Sequence, residues 1–212
     1  MVTLRLVVAF ALASGTIFSQ SKEEVALNNQ AVILMDSDKY QEALPYLNQL
    51  TEKDTANFIY RYNRAVTLFN LKQYHNAIAE YDYLHKLIPE QSEYIFQIGN
   101  AYEHLDSATL ATSYYTRAIE MDADHFIYFF KRGTLYLKQE KYRQAEADFT
   151  ASIELNPTHH NSIHNRGIAL YKLGDQGKAC QDWCQSFELG NTSSKIHLDQ
   201  FCKTSNTCST SK

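Results

Sequence analysis

Glycine and proline are scarce in this chain. Its 212 residues include seven glycines and three prolines, and no glycine-rich phosphate-binding loop is present. The sequence also has neither a G-x-S-x-G nor an H-E-x-x-H segment, the motifs of serine hydrolases and zinc proteases. These absences argue against the common nucleotide-binding and hydrolytic enzymes. We therefore predict a protein that is not an enzyme and has no cofactor.

Basic residues do not outnumber acidic ones. The chain has 20 lysines and arginines against 24 acidic residues, and its formal net charge at pH 7 is −4. No basic stripe appears that would follow a nucleic-acid backbone, so we predict no nucleic-acid partner. The hydrophobic fraction of 44% is high enough for a continuous core.

Histidines are the remaining candidates for metal chemistry. His160 and His164 are four residues apart and would share a helix face, with His159 beside them. Two imidazoles can bind a metal, but no carboxylate pattern nearby completes a four-ligand site. We therefore predict that these three histidines are polar residues on an exposed helix and that they do not form a metal site.

A long apolar run lies at the N terminus. Arg5 is followed by apolar residues from Leu6 to Phe18, interrupted only by small ones. A charged start, an apolar middle and a small residue near the cut are typical of a secretory signal peptide, and the run is short for a membrane span. We predict that residues 1–19 are removed and that the mature chain is periplasmic or secreted. An uncleaved anchor is the alternative.

The rest of the chain repeats itself every 34 residues. Five consecutive blocks follow this step: 24–57, 58–91, 92–125, 126–159 and 160–193. The eighth residue of each block is small: Ala31, Ala65, Gly99, Gly133 and Gly167. The twentieth is alanine: Ala43, Ala77, Ala111, Ala145 and Ala179. The twenty-fourth is large: Leu47, Tyr81, Tyr115, Phe149 and Trp183.

This spacing predicts two helices in each block. Positions 4, 8 and 11 share one helix face, and positions 20, 24 and 27 share another. Small residues at positions 8 and 20 let the two helices approach closely, and the large residue fills the space beside them. One hairpin cannot bury its apolar face alone, so neighbouring hairpins must stack. We predict an all-α solenoid of five helix–turn–helix repeats.

The pattern resembles the tetratricopeptide repeat, a family of 34-residue helix–turn–helix units, over residues 24–193. In that family the first helices of successive repeats line a concave groove that holds an extended peptide or a partner helix. The resemblance therefore implies a protein or peptide partner. The alternative for the aromatic residues on this face is that they are simply core. The predicted groove contacts are Tyr62, Asn63, Phe69, Phe96, Asn100, His104, Phe130 and Lys131.

Two positions of the repeat, 7 and 23, are either both charged or both uncharged in a given block. Three blocks have arginine at position 7 and an acidic residue at position 23, and the other two blocks have neither. The pairs are Arg64 with Glu80, Arg132 with Asp148, and Arg166 with Asp182. We predict that each pair joins the two helices of its own hairpin and sets their register.

All four cysteines lie near the C terminus, and their even number in an exported chain suggests disulfides. Residues 194–212 are predicted to form a short capping helix and a polar tail. If this helix folds back after Asn191, Cys180 and Cys202 are equally far from the turn and should face each other. Cys184 would then pair with Cys208 or stay free. Zinc held by four thiolates is the alternative.

The segment ACQDWCQSFELG with the later QFCK also resembles the end of exported tetratricopeptide-repeat proteins of Bacteroidetes-type bacteria. The matching residues are Ala179, Cys180, Asp182, Trp183, Leu189, Gly190 and Cys202. This resemblance suggests an envelope protein. The leading hypothesis is an exported scaffold that binds its partner in the groove. The alternative is an assembly or stabilising subunit that binds through its convex face or its ends.

Overall fold

The computed structural model describes residues 21–202, and this part of the chain consists of eleven α-helices without a β-strand. The helices are α1 (Lys22–Asp36), α2 (Tyr40–Lys53), α3 (Phe58–Asn70), α4 (Tyr74–Leu87), α5 (Ser92–His104), α6 (Ala108–Met121), α7 (Phe126–Lys138), α8 (Tyr142–Leu155), α9 (His160–Lys172), α10 (Gln176–Glu188) and α11 (Ser194–Phe201). Helices α1 to α10 form five hairpins, and α11 follows the last one. The predicted all-α repeat fold with a short terminal helix is confirmed, whereas the predicted signal peptide lies outside the described residues.

The chain divides into two compact units, with the boundary between Pro89 and Glu90. Unit 1 contains α1 to α4, and unit 2 contains α5 to α11. In unit 1, the core consists of alanines at close helix contacts and the larger side chains packed against them: Ala31, Leu34, Ala43, Leu47, Leu50 and Tyr60. In unit 2, one core cluster joins Ala145, Phe149 and Ala169, and a second surrounds Trp183.

Side-chain caps mark several helix starts. Ser21 and Glu24 form a reciprocal capping box on α1, with the Glu24 N–H donating to Ser21 Oγ at 3.1 Å and the Ser21 N–H donating to Glu24 Oε2 at 2.8 Å. Asn57 Oδ1 accepts from the first turn of α3, and the Asp175 side chain accepts from the Lys178 N–H in α10. Each cap satisfies backbone donors that lack a partner within the helix.

The turn inside each hairpin has the same backbone conformation at repeat position 15. The residues in this left-handed conformation are Asp38 (φ 57°), Lys72 (φ 60°), Asp106 (φ 54°), Glu140 (φ 59°) and Gly174 (φ 91°). In each turn the next N–H donates to the carbonyl five residues earlier, as from Lys141 to Tyr136 at 2.9 Å. This is the hydrogen bond that ends a helix in a Schellman motif. Only the last of these five turns uses glycine.

Glycine at position 8 permits the close helix contacts that the sequence predicted. A Cβ atom added to Gly99 would come within 2.8 Å of the Tyr115 ring, and one added to Gly167 would come within 2.7 Å of Trp183 Nε1. Gly133 is similarly tight against Phe149, at 3.0 Å. In these three hairpins, the large residue at position 24 therefore lies directly on the glycine.

The predicted arginine–acid pairs are confirmed in all three hairpins. The Arg132 guanidinium donates to both carboxylate oxygens of Asp148, at 2.8 and 2.7 Å, and Arg166 binds Asp182 in the same way at 2.8 Å. Arg64 donates to Glu80, which also accepts from Arg61 at 3.0 Å.

Each of the three arginines also reaches the preceding hairpin. Arg132 donates to Thr116 Oγ1 at 3.1 Å, and Arg64 donates to Thr51 Oγ1 at 2.6 Å. Arg166 lies 3.5 Å from Thr150 Oγ1. One side chain thus joins the two helices of its hairpin and connects that hairpin to its neighbour.

A disulfide holds α11 against the end of unit 2. Cys180 in α10 is bonded to Cys202 directly after α11, with their Cα atoms 5.8 Å apart, so this predicted pairing is confirmed. Oxidised cysteines cannot act as thiolate ligands, which excludes zinc held by all four. Cys184 is buried and is not a free thiol. Cys208 lies outside the described residues, so its pairing with Cys184 stays a prediction.

Removing this disulfide should weaken the C-terminal end by about 3 kcal/mol, the value for a closed loop of roughly 20 residues. We expect a Cys180→Ala/Cys202→Ala variant to show the loss in urea unfolding, with faster hydrogen exchange confined to α10 and α11. A Gln181→Ala/Gln200→Ala variant changes two exposed neighbours and should behave as wild type. Equal stability of the two variants would contradict the prediction.

Candidate functional site

In unit 1, the predicted groove contacts lie largely in the interior. Tyr62 is 6% exposed, and its ring meets Tyr81 edge-on with centroids 6.3 Å apart. Asn63 is 2% exposed and its Nδ2 donates to Asn28 Oδ1 at 3.3 Å. Phe69 is half-buried against the edge of Tyr74.

In unit 2, the predicted contacts are divided between the interior and the surface. Phe96 is 5% exposed and stacks on Tyr128, with centroids 4.5 Å apart. Phe130 is half-buried and touches the ring of His159 edge-on at 4.8 Å. His104 is exposed at the end of α5.

Tyr62 and Phe96 are therefore core residues of their units and do not form an open groove surface. The reason is that tyrosines on adjacent helices offer ring surfaces to them. Tyr115 lies 5.4 Å from Phe96 in addition to the stacked Tyr128. The period placed these rings on one helix face but could not show how deeply neighbouring rings would cover them. Their contact with a partner stays a prediction.

Polar side chains form a continuous hydrogen-bonded row along α5 in unit 2. Gln97 Nε2 donates to Glu93 Oε1 at 2.6 Å, and Asn100 Nδ2 donates to Gln97 Oε1 at 3.0 Å. The Tyr115 hydroxyl contacts Asn100 Oδ1 at 2.9 Å and Glu103 Oε2 at 2.7 Å. The row has helix spacing, because its α5 members are three or four residues apart and so share one face.

The row ends at a carboxylate shared by two lysines. Lys131 Nζ lies 3.2 Å from Glu103 Oε2, and Lys138 Nζ lies 3.6 Å from Glu103 Oε1. The Lys138 side chain is 64% exposed, whereas that of Glu103 is 18% exposed. We call the surface formed by Glu93, Gln97, Glu103, Phe130, Lys131 and Lys138, together with the 9% exposed Asn100, the α5–α7 face.

The pKa values of the two carboxyl groups of this face, Glu93 and Glu103, are shifted in opposite directions. Burial raises the pKa of Glu93, and hydrogen bonds from Gln97 and Tyr128 only partly offset it. Burial also acts on Glu103, but the Tyr115 hydrogen bond and the lysine charges outweigh it, so the pKa of Glu103 is lowered. Glu103 is therefore held as the anion, whereas the charge on Glu93 is disfavoured.

Two carboxylates with diverging pKa values are also a pattern of acid–base catalysis. Glu93 and Glu103 are ten residues apart on one helix, which places them about 15 Å apart along the axis. Paired catalytic carboxylates act across about 5–10 Å. The spacing of Glu93 and Glu103 is therefore longer than that of a catalytic carboxylate pair. Sequence reasoning named Asn100 and Lys131 but missed the row, although the spacing of its α5 members was a readable signal.

His164 differs from the sequence expectation, because it is buried rather than on an exposed helix. It is 8% exposed, its Nδ1 lies 2.8 Å from Ser194 Oγ, and the His197 ring meets it edge-on at 5.0 Å. The cause is α11, which covers this side of α9. His159 is half-buried between aromatic rings. Across residues 21–202, no cluster of three or more potential metal-ligating side chains occurs.

The buried His164 should make the protein less stable in acid. Burial, followed by the charges of His197 and His160, lowers the pKa of His164 to about 4. An unfolded histidine titrates near 6.5, so between these values the unfolded chain binds more protons and stability falls as pH falls. The full effect is at most about 3 kcal/mol.

We expect the free energy of unfolding, measured in urea between pH 7 and pH 4, to fall with pH in wild type. It should fall less steeply in His164→Gln. A variant at the exposed His75, His75→Gln, should keep the wild-type slope. Parallel pH dependences of wild type and His164→Gln would contradict the assignment.

No helix within residues 21–202 is both long and apolar enough to cross a membrane.

Several solved structures are similar to this chain in fold. MamA (41-end) from Desulfovibrio magneticus RS-1 is 17% identical with a TM-score of 0.71, covering 80% of this chain and 96% of that one. YrrB, described as a TPR protein with an unusual peptide-binding site, is 18% identical with a TM-score of 0.66, covering 84% and 94%. The first TPR domain of Spaghetti (RPAP3), bound to an HSP90 peptide, is 22% identical with a TM-score of 0.51, covering 52% and 90%.

Sequence comparisons give the family directly. Curated protein sequences show no significant match to this chain. Family models for the tetratricopeptide repeat match residues 28–92, 92–125 and 127–159. These ranges cover most of the five hairpins, and the hairpins have the helix–turn–helix architecture that the 34-residue period predicted. The chain therefore belongs to the tetratricopeptide repeat family.

Proposed function

We propose that this protein is an exported, non-enzymatic scaffold that binds a segment of a partner protein along the α5–α7 face. The observation that carries the proposal is the hydrogen-bonded row on α5, which leads to Lys131 and Lys138 on α7, the helix that also holds the half-buried Phe130. Two amides and the ion-paired Glu103 carboxylate then share one face of α5, and Phe130 precedes Lys131 on α7. An extended protein segment presents the matching groups: backbone amides, carbonyls and side chains.

The chemistry of the face suggests how the segment is held. Gln97 and Asn100 are kept in one orientation by their neighbours, so their amides are preorganised, which lowers the entropic cost of binding. Lys138 is largely exposed and can turn from Glu103 towards an acidic group of the partner. Phe130 supplies apolar contact area, as aromatic anchors do at binding hot spots.

The other predicted contacts have supporting roles in this proposal. His104 is exposed at the end of α5 and extends the face. Phe96 lies beneath it and holds the helix spacing. In unit 1, the half-buried Phe69 is proposed as a partner contact separate from the α5–α7 face, whereas Tyr62 and Asn63 support the helix from inside.

Two kinds of observation support binding and export. Two proteins with this fold are described with peptides: YrrB has an unusual peptide-binding site, and the RPAP3 domain is bound to an HSP90 peptide. The Cys180–Cys202 disulfide is of the kind that persists in oxidising compartments, in agreement with the predicted signal peptide. Mass spectrometry of the protein recovered from its native cells should find Gln20 at the mature N terminus.

The test is a crosslinked pull-down from the native envelope fraction with residues 20–212 as bait. The face variant carries His104→Glu and Lys138→Glu, both at exposed positions. The control variant carries His75→Glu and Lys178→Glu, which make the same change in charge at exposed positions on α4 and α10. We expect one partner to be captured by wild type and by the control and to be lost with the face variant.

Capture of the same partner by both variants would reject the α5–α7 face. The alternative, an assembly or stabilising subunit that binds through its convex face or ends, would then be favoured. The exposed Ile33 of α1 (59%) and Ile196 of α11 (65%) are the first positions to change in that case.

A further inference from the structure

An open pocket of about 310 Å³ lies in unit 1 among α2, α3 and α4. Asn48 of α2, Arg64 and Leu68 of α3, and Gln73 and Asn76 at the start of α4 line it. Its walls combine apolar side chains, three neutral amides, the Arg64 guanidinium and the Glu80 carboxylate that pairs with it. This pocket is separate from the α5–α7 face, which lies in unit 2.

The repeat pattern shows what fills the corresponding place in another hairpin. Two periods after Arg64, Leu68 and Gln73 the chain has Arg132, Tyr136 and Lys141. The Tyr136 ring lies 5.8 Å from the Arg132 guanidinium carbon and 5.8 Å from Lys141 Nζ. In the α7–α8 hairpin, an aromatic ring therefore occupies the space between these two side chains.

Unit 1 lacks that ring because leucine is at the tyrosine position. The guanidinium of Arg132 also lies 5.9 Å from the Phe129 ring, but the residue two periods earlier is Arg61. Arg61 instead lies over Tyr83 at 3.8 Å and shares Glu80 with Arg64. Within residues 21–202, no aromatic ring covers the guanidinium of Arg64.

The hydrogen bonds of Arg64 hold its guanidinium in place at the pocket wall. One terminal nitrogen donates to Thr51 Oγ1 at 2.6 Å and the other to Glu80. Its side chain is 20% exposed. An immobilised guanidinium plane is a good surface for an aromatic ring, because little entropy is lost when the ring stacks on it.

We propose that this pocket binds a tyrosine side chain of a partner protein, placed between Arg64 and Gln73 as Tyr136 is placed between Arg132 and Lys141. The ring packs on Leu68 and on the guanidinium plane. The phenolic oxygen meets the amide rim, where Asn76 Nδ2 and Gln73 Oε1 already bond to each other at 3.1 Å. The site recognises an aromatic ring with a polar tip.

N-acetyl-tyrosinamide is the probe that tests this site. It is titrated into residues 20–212 while the side-chain ¹H–¹⁵N signals of Asn48, Asn76 and Arg64 are followed. Leu68→Tyr restores the ring seen in α7, and Ala79→Phe fills the pocket from the exposed side of α4. We expect saturable shifts in wild type and in a Tyr136→Leu control, and none in either filled variant.

Three results would overturn the proposal: no saturable shift in wild type, equal shifts in both folded filled variants, or equal shifts with N-acetyl-leucinamide as probe. The last result would mean a general apolar pocket without selection for the ring. Circular dichroism checks that each variant is folded. Because the probe binds unit 1 in the absence of a partner, failure here leaves the pull-down test of the α5–α7 face unaffected.

Discussion

Replacing Trp183 by alanine should lower the free energy of unfolding by about 3–5 kcal/mol, the usual cost of deleting a buried tryptophan. The side chain is fully buried, and its Nε1–H donates to the His164 carbonyl at 3.2 Å. Its ring lies 4.7 Å from that of His197 and 5.9 Å from that of Phe201, both on α11. Alanine would therefore leave a cavity and also remove the surface on which the terminal helix rests.

Urea unfolding followed by circular dichroism is the suitable measurement, because Trp183 is the single tryptophan and the variant loses its fluorescence signal. Phe187→Ala is the matched control: this ring is on the same helix but is 41% exposed. It should change stability by less than about 0.5 kcal/mol. A loss below about 1 kcal/mol for Trp183→Ala would mean that the end of unit 2 collapses onto the cavity.

Breaking the Arg132–Asp148 pair from one side should cost about 3–5 kcal/mol at neutral pH, because it leaves a buried carboxylate without its partner. Asp148 is 5% exposed. Burial raises its pKa, and the two hydrogen bonds from Arg132 oppose that rise. An Arg132→Met variant keeps most of the apolar side-chain volume and removes the charge, so the pKa of Asp148 should rise further.

The pH dependence gives this prediction a specific signature. A carboxyl whose folded pKa lies above its unfolded value binds its proton more readily in the folded state. The loss in free energy of unfolding caused by Arg132→Met should therefore be largest near pH 7. It should become smaller as pH falls through the raised pKa of Asp148. Urea unfolding at pH 7 and pH 5 measures this difference.

Two further variants separate the charge from the packing. Arg132→Met/Asp148→Leu removes both partners, and replacement of a buried pair by apolar residues is often neutral. It should recover most of the loss. Arg143→Met changes an exposed arginine on α8 and should have little effect. A double variant as unstable as Arg132→Met would show that the pair itself, rather than the unpaired carboxylate, determines the stability.

The sequence predicted those features that depend on periodicity. Gly99, Gly133 and Gly167 had to face large residues because positions 8 and 24 are on facing helices. The charge pairs followed from the joint change at positions 7 and 23. The Cys180–Cys202 pairing followed from equal distances to the turn after α10. Each of these inferences concerns residues within one hairpin or its immediate neighbour, where spacing determines contact.

Features that depend on three or more helices were not predictable in this way. The period put Phe96 on one face of its helix, but its burial depends on Tyr115 and Tyr128 from two other helices. His164 is covered by α11, whose path after the turn no repeat specifies. The row from Glu93 to Glu103 is closed by Tyr115 and lysines on other helices. A single-helix pattern shows which side chains share a face but not which groups will meet them.

The left-handed residues in the hairpin turns have a consequence for how the protein tolerates mutation. Lys72 and Glu140 hold a conformation in which a side chain costs about 1 kcal/mol relative to glycine, and Gly174 shows that the same turn accepts glycine. The turns are exposed and lie in different hairpins, so gains from glycine at these sites should add. Glycine substitutions in these turns would thus raise the stability of the fold at positions remote from its core. That added stability would allow sequence change on the binding surfaces without loss of the fold.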